Sequence, residues 1–526
     1  MKATPGRKDS DRLVKTPNIL WILLDDSSAD MFGFGGASWA TPQIDRLARE
    51  GVRADECHTS SPICTPSRFG YLSGKHPARC GAERFRKPIE PGGQHHVGFN
   101  VEFAWGDSEN AAAVFRAAGY RTGFVGKFHV GPSEGFHSYD SGERPDSPET
   151  ARKLTEDYAR KVEHLRSIGF EEVGAVCWSN TDDRALTALR QHNLEWQTTE
   201  ALRFLESDDE RPFFLFVAPT TQHGPHHVGS LESDPRIVEH GLLPEAPSAV
   251  QPPRASVLER VRDVTRELRH LAAGAVWTDD MVGAMIGALE RSGQLDETII
   301  VFGADHGPGT RSGKFTLYDG GTRVPLLIRH PRLFQPGSRC AGQIANVDLL
   351  PTLLEAAGLA VPDWACDGRS ALETLRDGGA GREELYLDLG FLRAVRTKKW
   401  KHIALRYPPS KITAMRDGQT HSAFLAVRGE GGDPVLRLYP HYFDADQLYD
   451  LEAEPGEQRN LAEDPRHKGV LEEMRARLAL HTAKFPDPFP LEPDSYQISG
   501  HFRDLTARNF ADLSYRDWPW YRELAW

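Results

Sequence analysis

The sequence predicts an α/β fold with a large, mostly parallel sheet, followed by a smaller α+β domain. Short apolar runs alternate with amphipathic helical stretches over most of the chain, which is the pattern of α/β proteins. The run over residues 19–24 is apolar at every position, as expected of a central parallel strand that is buried on both faces. Past residues 375–385 the sequence becomes strand-rich, which predicts a second, smaller domain.

Local signals place the individual elements. Thr41 and Pro42 supply a helix cap and a first-turn proline, and Gly51 ends the helix that they begin. Further helices are predicted over residues 110–118, 281–291 and 468–484. Further strands are predicted over residues 213–217, 298–302, 324–328, 384–387, 392–396, 400–405 and 448–451.

These elements divide the chain into four predicted segments. The segments are a disordered or extended N-terminal arm over residues 1–16, the larger domain over 17–380, the smaller domain over 381–490 and a tail over 491–526. The tail contains Trp518, Trp520, Tyr521 and Trp526, which is too aromatic for a solvated segment. We therefore expect it to pack on the body of the protein or on the neighbouring subunit of a homo-oligomer.

Composition and charge exclude several classes of protein. The 526 residues carry a net charge of −12, which argues against nucleic-acid binding driven by phosphate neutralisation. No run approaches the ~18 apolar residues of a membrane span, and the polar first residues lack the apolar stretch of a secretory signal. We therefore expect a cytoplasmic protein with no nucleic-acid or membrane partner. The six cysteines are scattered, and their spacing predicts neither a disulfide framework nor a zinc site.

Polar side chains follow three of the predicted strands. These residues are Asp25, Asp26, His223, Asp305 and His306. Ligands of open α/β sheets bind beyond the carboxyl ends of the strands, so we expect the three strand ends to converge on one crevice. Adjacent buried carboxylates repel each other, and a divalent cation with oxygen ligands relieves the repulsion. A turn with a helix cap is the alternative explanation of each pair taken alone.

A second group of candidate functional residues lies in the segment Cys64-Thr-Pro-Ser-Arg68, which is followed by Leu72-Ser-Gly74. Its proline and serine suit a helix start, where backbone N–H groups favour an anion. Arg68 lies one turn beyond Cys64, on the same face of the helix. Taken alone, Cys64 is either a thiolate nucleophile beside a cation or a buried structural cysteine.

The motif Cys-x-Pro-Ser-Arg followed by Leu-Ser-Gly is the signature of the sulfatase family, and the chain resembles that family from about residue 17 to 480. Other matching segments, in consistent order, are residues 19–26, 120–131, 213–226, 304–307, 313–325, 394–401 and 447–451. The resemblance implies the fold of the alkaline phosphatase superfamily. That fold has a large mixed, mostly parallel sheet flanked by helices, and a smaller C-terminal domain with an antiparallel sheet.

The resemblance implies that Cys64 is oxidised to formylglycine by a separate formylglycine-generating enzyme. The hydrated aldehyde carries two hydroxyls on one carbon. One hydroxyl attacks the sulfur of a sulfate ester and releases the alcohol. The other then loses its proton and expels sulfate, which restores the aldehyde. Such covalent catalysis divides one difficult displacement into two easier steps.

The resemblance also implies a metal site and a set of catalytic side chains. Its metal ligands are Asp25, Asp26, modified Cys64, Asp305 and His306. Ca²⁺ is the first expectation because most ligands are oxygens, while the imidazole of His306 keeps Mg²⁺ and Mn²⁺ open. The catalytic residues are Cys64, Arg68 to hold the formylglycine hydroxylate, Lys127 and Lys314 on the sulfate oxygens, His129 on the second hydroxyl, and His223 as general acid to the alcohol.

Two other functions remain open on the sequence alone. A phosphonate monoester or phosphodiester hydrolase shares the fold and the formylglycine chemistry, although Thr-Pro-Ser-Arg after Cys64 favours sulfate. A non-catalytic binding protein on the same scaffold is the second alternative, but such proteins lose the cysteine or a metal ligand. We expect a small sulfated substrate, which is a carbohydrate, alkyl or aryl sulfate. Candidate substrate contacts are Trp178, Arg184, His95 and His96.

Overall fold

A computed structural model describes residues 16–87, 93, 95–308, 313–416, 439–486 and 488–494. Apart from residue 16, the predicted N-terminal arm lies outside the described residues, and so does the predicted tail beyond residue 494. The strands are β1 Asn18–Leu24, β2 Val52–Ala54, β3 Cys57–His58, β4 Arg121–Lys127, β5 Glu172–Cys177, β6 Phe213–Ala218, β7 Ile237–Val238, β8 Gly241–Leu242, β9 Thr298–Ala304, β10 Leu326–Arg329, β11 Ser338–Cys340, β12 Ile344–Ala345, β13 Glu384–Leu389, β14 Leu392–Thr397, β15 Trp400–Leu405 and β16 Asp446–Asp450.

An eight-stranded mixed sheet forms the centre of the larger domain, in the order β11-β2-β10-β9-β1-β6-β4-β5. The neighbours β9, β1, β6, β4 and β5 are all parallel, whereas β10 is antiparallel to both β9 and β2. All seven residues of β1 are buried, so both faces of the sheet are covered at this strand. The prediction of a central parallel strand is therefore confirmed.

Helices pack on the main sheet and, later in the chain, on the sheet of the smaller domain. They are α1 Pro42–Glu50, α2 Cys64–Ser73, α3 Glu83–Arg86, α4 Ala111–Ala117, α5 Pro148–Ser167, α6 Leu194–Leu205, α7 His227–Glu232, α8 Arg254–Arg260, α9 Arg266–Arg291, α10 Asp319–Thr322, α11 Leu349–Ala356, α12 Leu372–Asp377, α13 Pro409–Arg416 and α14 Lys468–Thr482. The long α9 packs against α1, α6, α7 and α8, and α2 packs against α4 and α11. No helix within the described ranges is both long and apolar enough to cross a membrane.

The smaller domain contains a four-stranded antiparallel sheet in the order β13-β14-β15-β16. Helix α14 packs on β14 and β15, where Leu471, Met474 and Leu478 join a buried apolar cluster with Val395. An apolar face of an antiparallel sheet needs such a cover. The predicted strand-rich C-terminal domain is therefore confirmed.

Helix α9 begins well before the predicted start at residue 281. Its first half includes the small residues Ala272, Ala273 and Gly274, which are buried among neighbouring helices. Because this half is buried nearly all round from residue 271 to 282, it lacks the polar face by which an amphipathic helix is recognised. Helix α5 and strand β5 are further elements that the sequence did not predict.

Candidate active site

The carboxyl ends of five adjacent parallel strands form one edge of the main sheet, and the predicted site residues lie there. Backbone hydrogen bonds continue between the segments beyond the strands. The N–H of Asp305 donates to the carbonyl of Leu24 at 3.0 Å, and that of Gln222 donates to the carbonyl of Asp25 at 3.0 Å. The loops after β9, β1 and β6 are therefore held side by side, which brings together the polar residues that follow these strands.

Cys64 is the first residue of α2, and its side chain points into this cluster. Ile63 precedes it in an extended conformation, with φ −138° and ψ 147°. The Cys64 Sγ lies 3.4 Å from Asp25 Oδ1 and 3.2 Å from His306 Nε2. Burial, reinforced by Asp25, raises the pKa of the Cys64 thiol well above its usual range. An unmodified Cys64 is thus a poor source of thiolate in the absence of a cation.

Arg68 lies one turn further along α2 and is buried. Its guanidinium donates from Nε to Asp305 Oδ2 at 2.9 Å and from Nη1 to the backbone carbonyl of Lys127 at 2.9 Å. Its Nη2 also lies 2.9 Å from Asp305 Oδ2 and 3.7 Å from Asp25 Oδ2. Arg68 therefore connects helix α2 with the loops after β9 and β1 and with the end of β4.

Four buried side chains present donor atoms that suit a metal ion. The donor atoms of Asp25, Cys64, Asp305 and His306 all lie within 4.8 Å of one another. His306 turns its Nδ1 to the carbonyl of Gly307 at 2.9 Å, which leaves its Nε2 facing the cluster. A hydrogen bond of this kind fixes the tautomer of a metal-binding imidazole. Burial and the nearby Asp25 raise the pKa of Asp305, as expected where buried carboxylates crowd together without a cation.

Asp26 joins a second group at the open side of the cluster. Its carboxylate, Cys64 and His223 also have donor atoms within 4.8 Å of one another. The His306 Nε2 lies 3.4 Å from Asp26 Oδ1. Asp26 adopts a positive φ of 48°, in the left-handed region that aspartate enters more readily than most residues. The five predicted metal ligands are therefore brought together, with Asp26 more exposed than the other four.

Two buried lysines neutralise the carboxylates. The Nζ of Lys127 contacts Asp25 and the side-chain oxygen of Asn180, and the Nζ of Lys314 lies 2.8 Å from Asp26 Oδ1. Burial opposes the charged form of both lysines, but the pKa of Lys127 is raised by Asp25 and that of Lys314 chiefly by Asp26. Both side chains therefore remain cationic beside Cys64, where an anionic substrate needs positive charge.

The two predicted catalytic histidines follow neighbouring strands of the main sheet, His129 after β4 and His223 after β6. Burial and the adjacent Lys127 lower the pKa of His129 well below its usual range, so its imidazole is neutral. The ring of Phe99 stacks on His129 with centroids 5.6 Å apart. Burial and Lys314 oppose protonation of His223, but Asp26 and Asp182 outweigh them and raise its pKa. The pair thus offers one neutral and one more basic imidazole.

The turn that carries Lys314 is held by the smaller domain. The Nζ of Lys401, on β15, donates to the carbonyl of Leu317 at 3.2 Å and also pairs with Asp319. Arg396, on β14, lies 2.9 Å from Asp319 Oδ2. These buried contacts fix α10 against the antiparallel sheet, so the smaller domain helps to set the position of Lys314.

Sequence reasoning missed two polar residues of the site. Asn180 accepts a hydrogen bond from Lys127, and Asp182 lies 3.3 Å from the His223 ring. Both follow strand β5, where the run Val-Gly-Ala-Val-Cys followed by polar residues was the available signal. Of the candidate substrate contacts, Trp178 is buried and donates from Nε1 to the carbonyl of Pro132 at 3.1 Å, and Arg184 is buried against Glu239 at 2.7 Å. Both side chains therefore have structural partners, and their contact with substrate stays a prediction.

Comparison with known proteins identifies the family to which this arrangement belongs. The family model described as Sulfatase matches residues 17–359. The chain belongs to the sulfatase family. A second model, described as N-sulphoglucosamine sulphohydrolase, C-terminal, matches residues 312–412. The chain is thus a sulfuric ester hydrolase, and the recognition of the family from its Cys64 motif is confirmed.

Relatives of this sulfatase align over most of its length. A choline-sulfatase of Rhizobium meliloti (strain 1021) is 28% identical over 484 residues, which cover 86% of this chain and 83% of the relative. The N-sulphoglucosamine sulphohydrolase of Homo sapiens is 27% identical over 518 residues, which cover 91% of this chain and 92% of the relative. One solved structure, described as a complex with its substrate D-glucosamine-2-N,6-O-disulfate, has a TM-score of 0.60 at 19% identity and covers 91% of this chain and 100% of its own. The last similarity confirms the predicted fold.

Proposed function

We propose that this sulfatase hydrolyses its ester through Cys64 in the formylglycine form, beside a divalent cation. The observation that carries the proposal is the position of Cys64. Cys64 is the first residue of helix α2. Its side chain lies 3.4 Å from Asp25 and 3.2 Å from His306, and the buried Lys127 and Lys314 lie nearby. A nucleophile, a cation site and positive charges for an anionic substrate thus share one crevice. These are the requirements of covalent sulfate transfer.

The side chains present fit a divalent cation. Asp25, Asp26 and Asp305 supply carboxylate oxygens, His306 supplies an imidazole nitrogen whose orientation is fixed by Gly307, and position 64 completes the set. When bound, the cation acts as a Lewis acid and a template. Carboxylate oxygens suit Ca²⁺, which is our first choice. The imidazole is a better match for Mn²⁺ than for Ca²⁺, and Mg²⁺ and Mn²⁺ therefore belong in the test.

The chain's own residues perform the remaining tasks. Arg68 holds the side chain at position 64 from the same helix face. Lys127 and Lys314 stabilise the negative charge on the sulfate oxygens as the S–O bond breaks. His129, which is neutral, accepts the proton of the second hydroxyl of formylglycine. His223 gives a proton to the oxygen of the leaving alcohol.

A sulfated carbohydrate is the substrate class that we propose. One relative is named for sulphoglucosamine, and a solved neighbour of the same fold is described with D-glucosamine-2-N,6-O-disulfate as its substrate. Another relative is named choline-sulfatase, so a small alkyl sulfate is the main alternative substrate with which a sulfated carbohydrate must be compared. Substrates of both classes carry a sulfate ester group with one negative charge, so Lys127 and Lys314 stabilise this group equally in the two classes.

Hydrolysis of a panel of esters tests the proposal, measured as release of inorganic sulfate from the sulfate esters and as release of the phenol from the phosphonate. The panel contains glucosamine 6-sulfate, choline sulfate, para-nitrophenyl sulfate and an aryl phosphonate monoester, each with Ca²⁺, Mg²⁺ or Mn²⁺. We expect Cys64→Ala to abolish turnover and Cys366→Ala, which removes an exposed free cysteine, to leave it unchanged. Faster turnover of the phosphonate than of every sulfate ester would contradict the proposal, and so would full activity of Cys64→Ala.

A further inference from the structure

A carboxylate that the mechanism above does not use lies beside the predicted general acid. Asp182 belongs to a short 3₁₀ turn, Thr181–Asp183, that follows strand β5. Its Oδ1 lies 3.3 Å from the Nδ1 of His223. The carbonyl oxygen of Gly224 lies 3.3 Å from the same Nδ1. Two acceptors therefore face one nitrogen of the ring.

The other ring nitrogen faces the reaction site. The Nε2 of His223 lies 4.0 Å from Asp26 Oδ2. His223 also belongs with Cys64 and Asp26 to a group of side chains whose donor atoms lie within 4.8 Å of one another. With acceptors on the Nδ1 side, the proton of the neutral ring resides on Nδ1, and Nε2 is the nitrogen that exchanges a proton with the site. A partner on one imidazole nitrogen commonly sets the role of the other in this way.

The fit between the two loops is close. A Cβ atom on Gly224 would lie 2.7 Å from Asp182 Oδ2, so a larger residue after His223 would require the carboxylate to shift. Asp182 comes from the loop after β5 and His223 from the loop after β6, and the two strands are separated in the sheet by β4. The contact is therefore made by tertiary structure alone.

We propose that Asp182 is a positioning residue that holds the His223 imidazole with Nε2 directed at the oxygen of the leaving group. The inference rests on the proposed function. In the step concerned, the nucleophile forms a new bond to sulfur and the bond between sulfur and the alcohol oxygen breaks. The alcohol oxygen keeps the electron pair and takes the proton from Nε2. Asp182 touches neither sulfur nor the leaving group.

Two esters of similar size but different leaving groups test this role. The phenolate of para-nitrophenyl sulfate departs without a proton, whereas that of phenyl sulfate is more basic and needs one. For Asp182→Asn we expect kcat/KM to fall by about 10- to 100-fold on phenyl sulfate and by less than about 3-fold on para-nitrophenyl sulfate. Asp182→Glu, which restores a carboxylate, should recover part of the loss on phenyl sulfate.

The ratio of the two kcat/KM values is the decisive quantity, because it does not depend on the fraction of folded enzyme. Asp183→Asn is the matched control, since it removes the adjacent carboxylate of the same turn, whose contact is with Asn180 Nδ2 at 2.8 Å. That variant should keep the wild-type ratio even if both rates fall. An Asp182→Asn enzyme with the wild-type ratio would overturn the inference. A wild-type enzyme that releases sulfate from none of the esters would instead contradict the proposed function.

Discussion

Replacing Lys127 by methionine should destabilise the metal-free protein far more than the calcium-loaded protein. The Lys127 side chain is 1% exposed and its partner Asp25 is fully buried. Methionine keeps an apolar side chain but removes the positive charge that contacts the Asp25 carboxylate. Arg68 Nη2, which lies 3.7 Å from Asp25 Oδ2, then remains as a cationic partner. Loss of one partner of a buried ion pair costs about 3–5 kcal/mol. We expect that loss in the free energy of unfolding in EDTA.

A divalent cation held by Asp25 supplies the missing positive charge. In saturating Ca²⁺ the cost of Lys127→Met should therefore shrink to less than about 2 kcal/mol. By reciprocity the variant binds Ca²⁺ more tightly than the wild-type protein, and a difference of ~1.4 kcal/mol corresponds to about tenfold in Kd. Urea unfolding followed by circular dichroism, in EDTA and in Ca²⁺, measures the stability. Calcium titration by calorimetry measures the affinity.

Lys161→Met is the matched control. Lys161 is 14% exposed and lies 2.8 Å from the buried carboxylate of Glu239, an ion pair outside the metal cluster. Its cost should be the same in EDTA and in Ca²⁺, because the cation does not compensate for it. Equal costs of Lys127→Met in the two buffers would refute the placement of Asp25 in the cation site.

Three further changes test the electrostatics around the site. Burial opposes ionisation of Glu239, but Lys161 and Arg184 outweigh it and lower the pKa of Glu239 from 4.5 to about 2. The ionised carboxylate therefore stabilises the fold above pH 4.5, and this contribution to stability is lost as the pH falls towards 2. Glu239→Gln should cost about 3 kcal/mol at neutral pH and less in acid, and urea unfolding that shows a pH-independent cost would contradict this. Arg184→Ala should lower the melting temperature and leave KM unchanged, whereas a raised KM at an unchanged melting temperature would make Arg184 a substrate contact after all. Arg68→Lys, which loses the fork that reaches Asp305 and the carbonyl of Lys127, should lower kcat by about 10²- to 10³-fold, and a kcat within about threefold of wild type would show that the fork is dispensable.

Strand β1 and the polar residues after it were predictable because the signal is local. Its residues are buried on both faces, so an unbroken apolar run marks the strand, and Asp25 and Asp26 mark its carboxyl end. The Cys64 motif was equally explicit. Because the strands are parallel, their carboxyl ends lie at the same edge of the sheet, and the polar residues that follow them converge there.

Asn180 and Asp182 were not predictable in the same way. Strand β5 is the edge of the sheet, its first two residues are half-buried, and its sequence carries no motif. The roles of the two residues depend on Lys127 and His223, which approach only in the tertiary structure. The ion pair of Arg184 with Glu239 was not predictable for the same reason, because the two residues are distant in sequence.

The mass of the peptide that contains Cys64, taken from protein that releases sulfate, tests the central claim most directly. Conversion of the thiol to formylglycine lowers the peptide mass by about 18 Da, and the new aldehyde reacts with a hydrazide probe. We expect both signals in active protein and neither in Cys64→Ala. An active preparation in which Cys64 remains entirely a thiol would contradict the account.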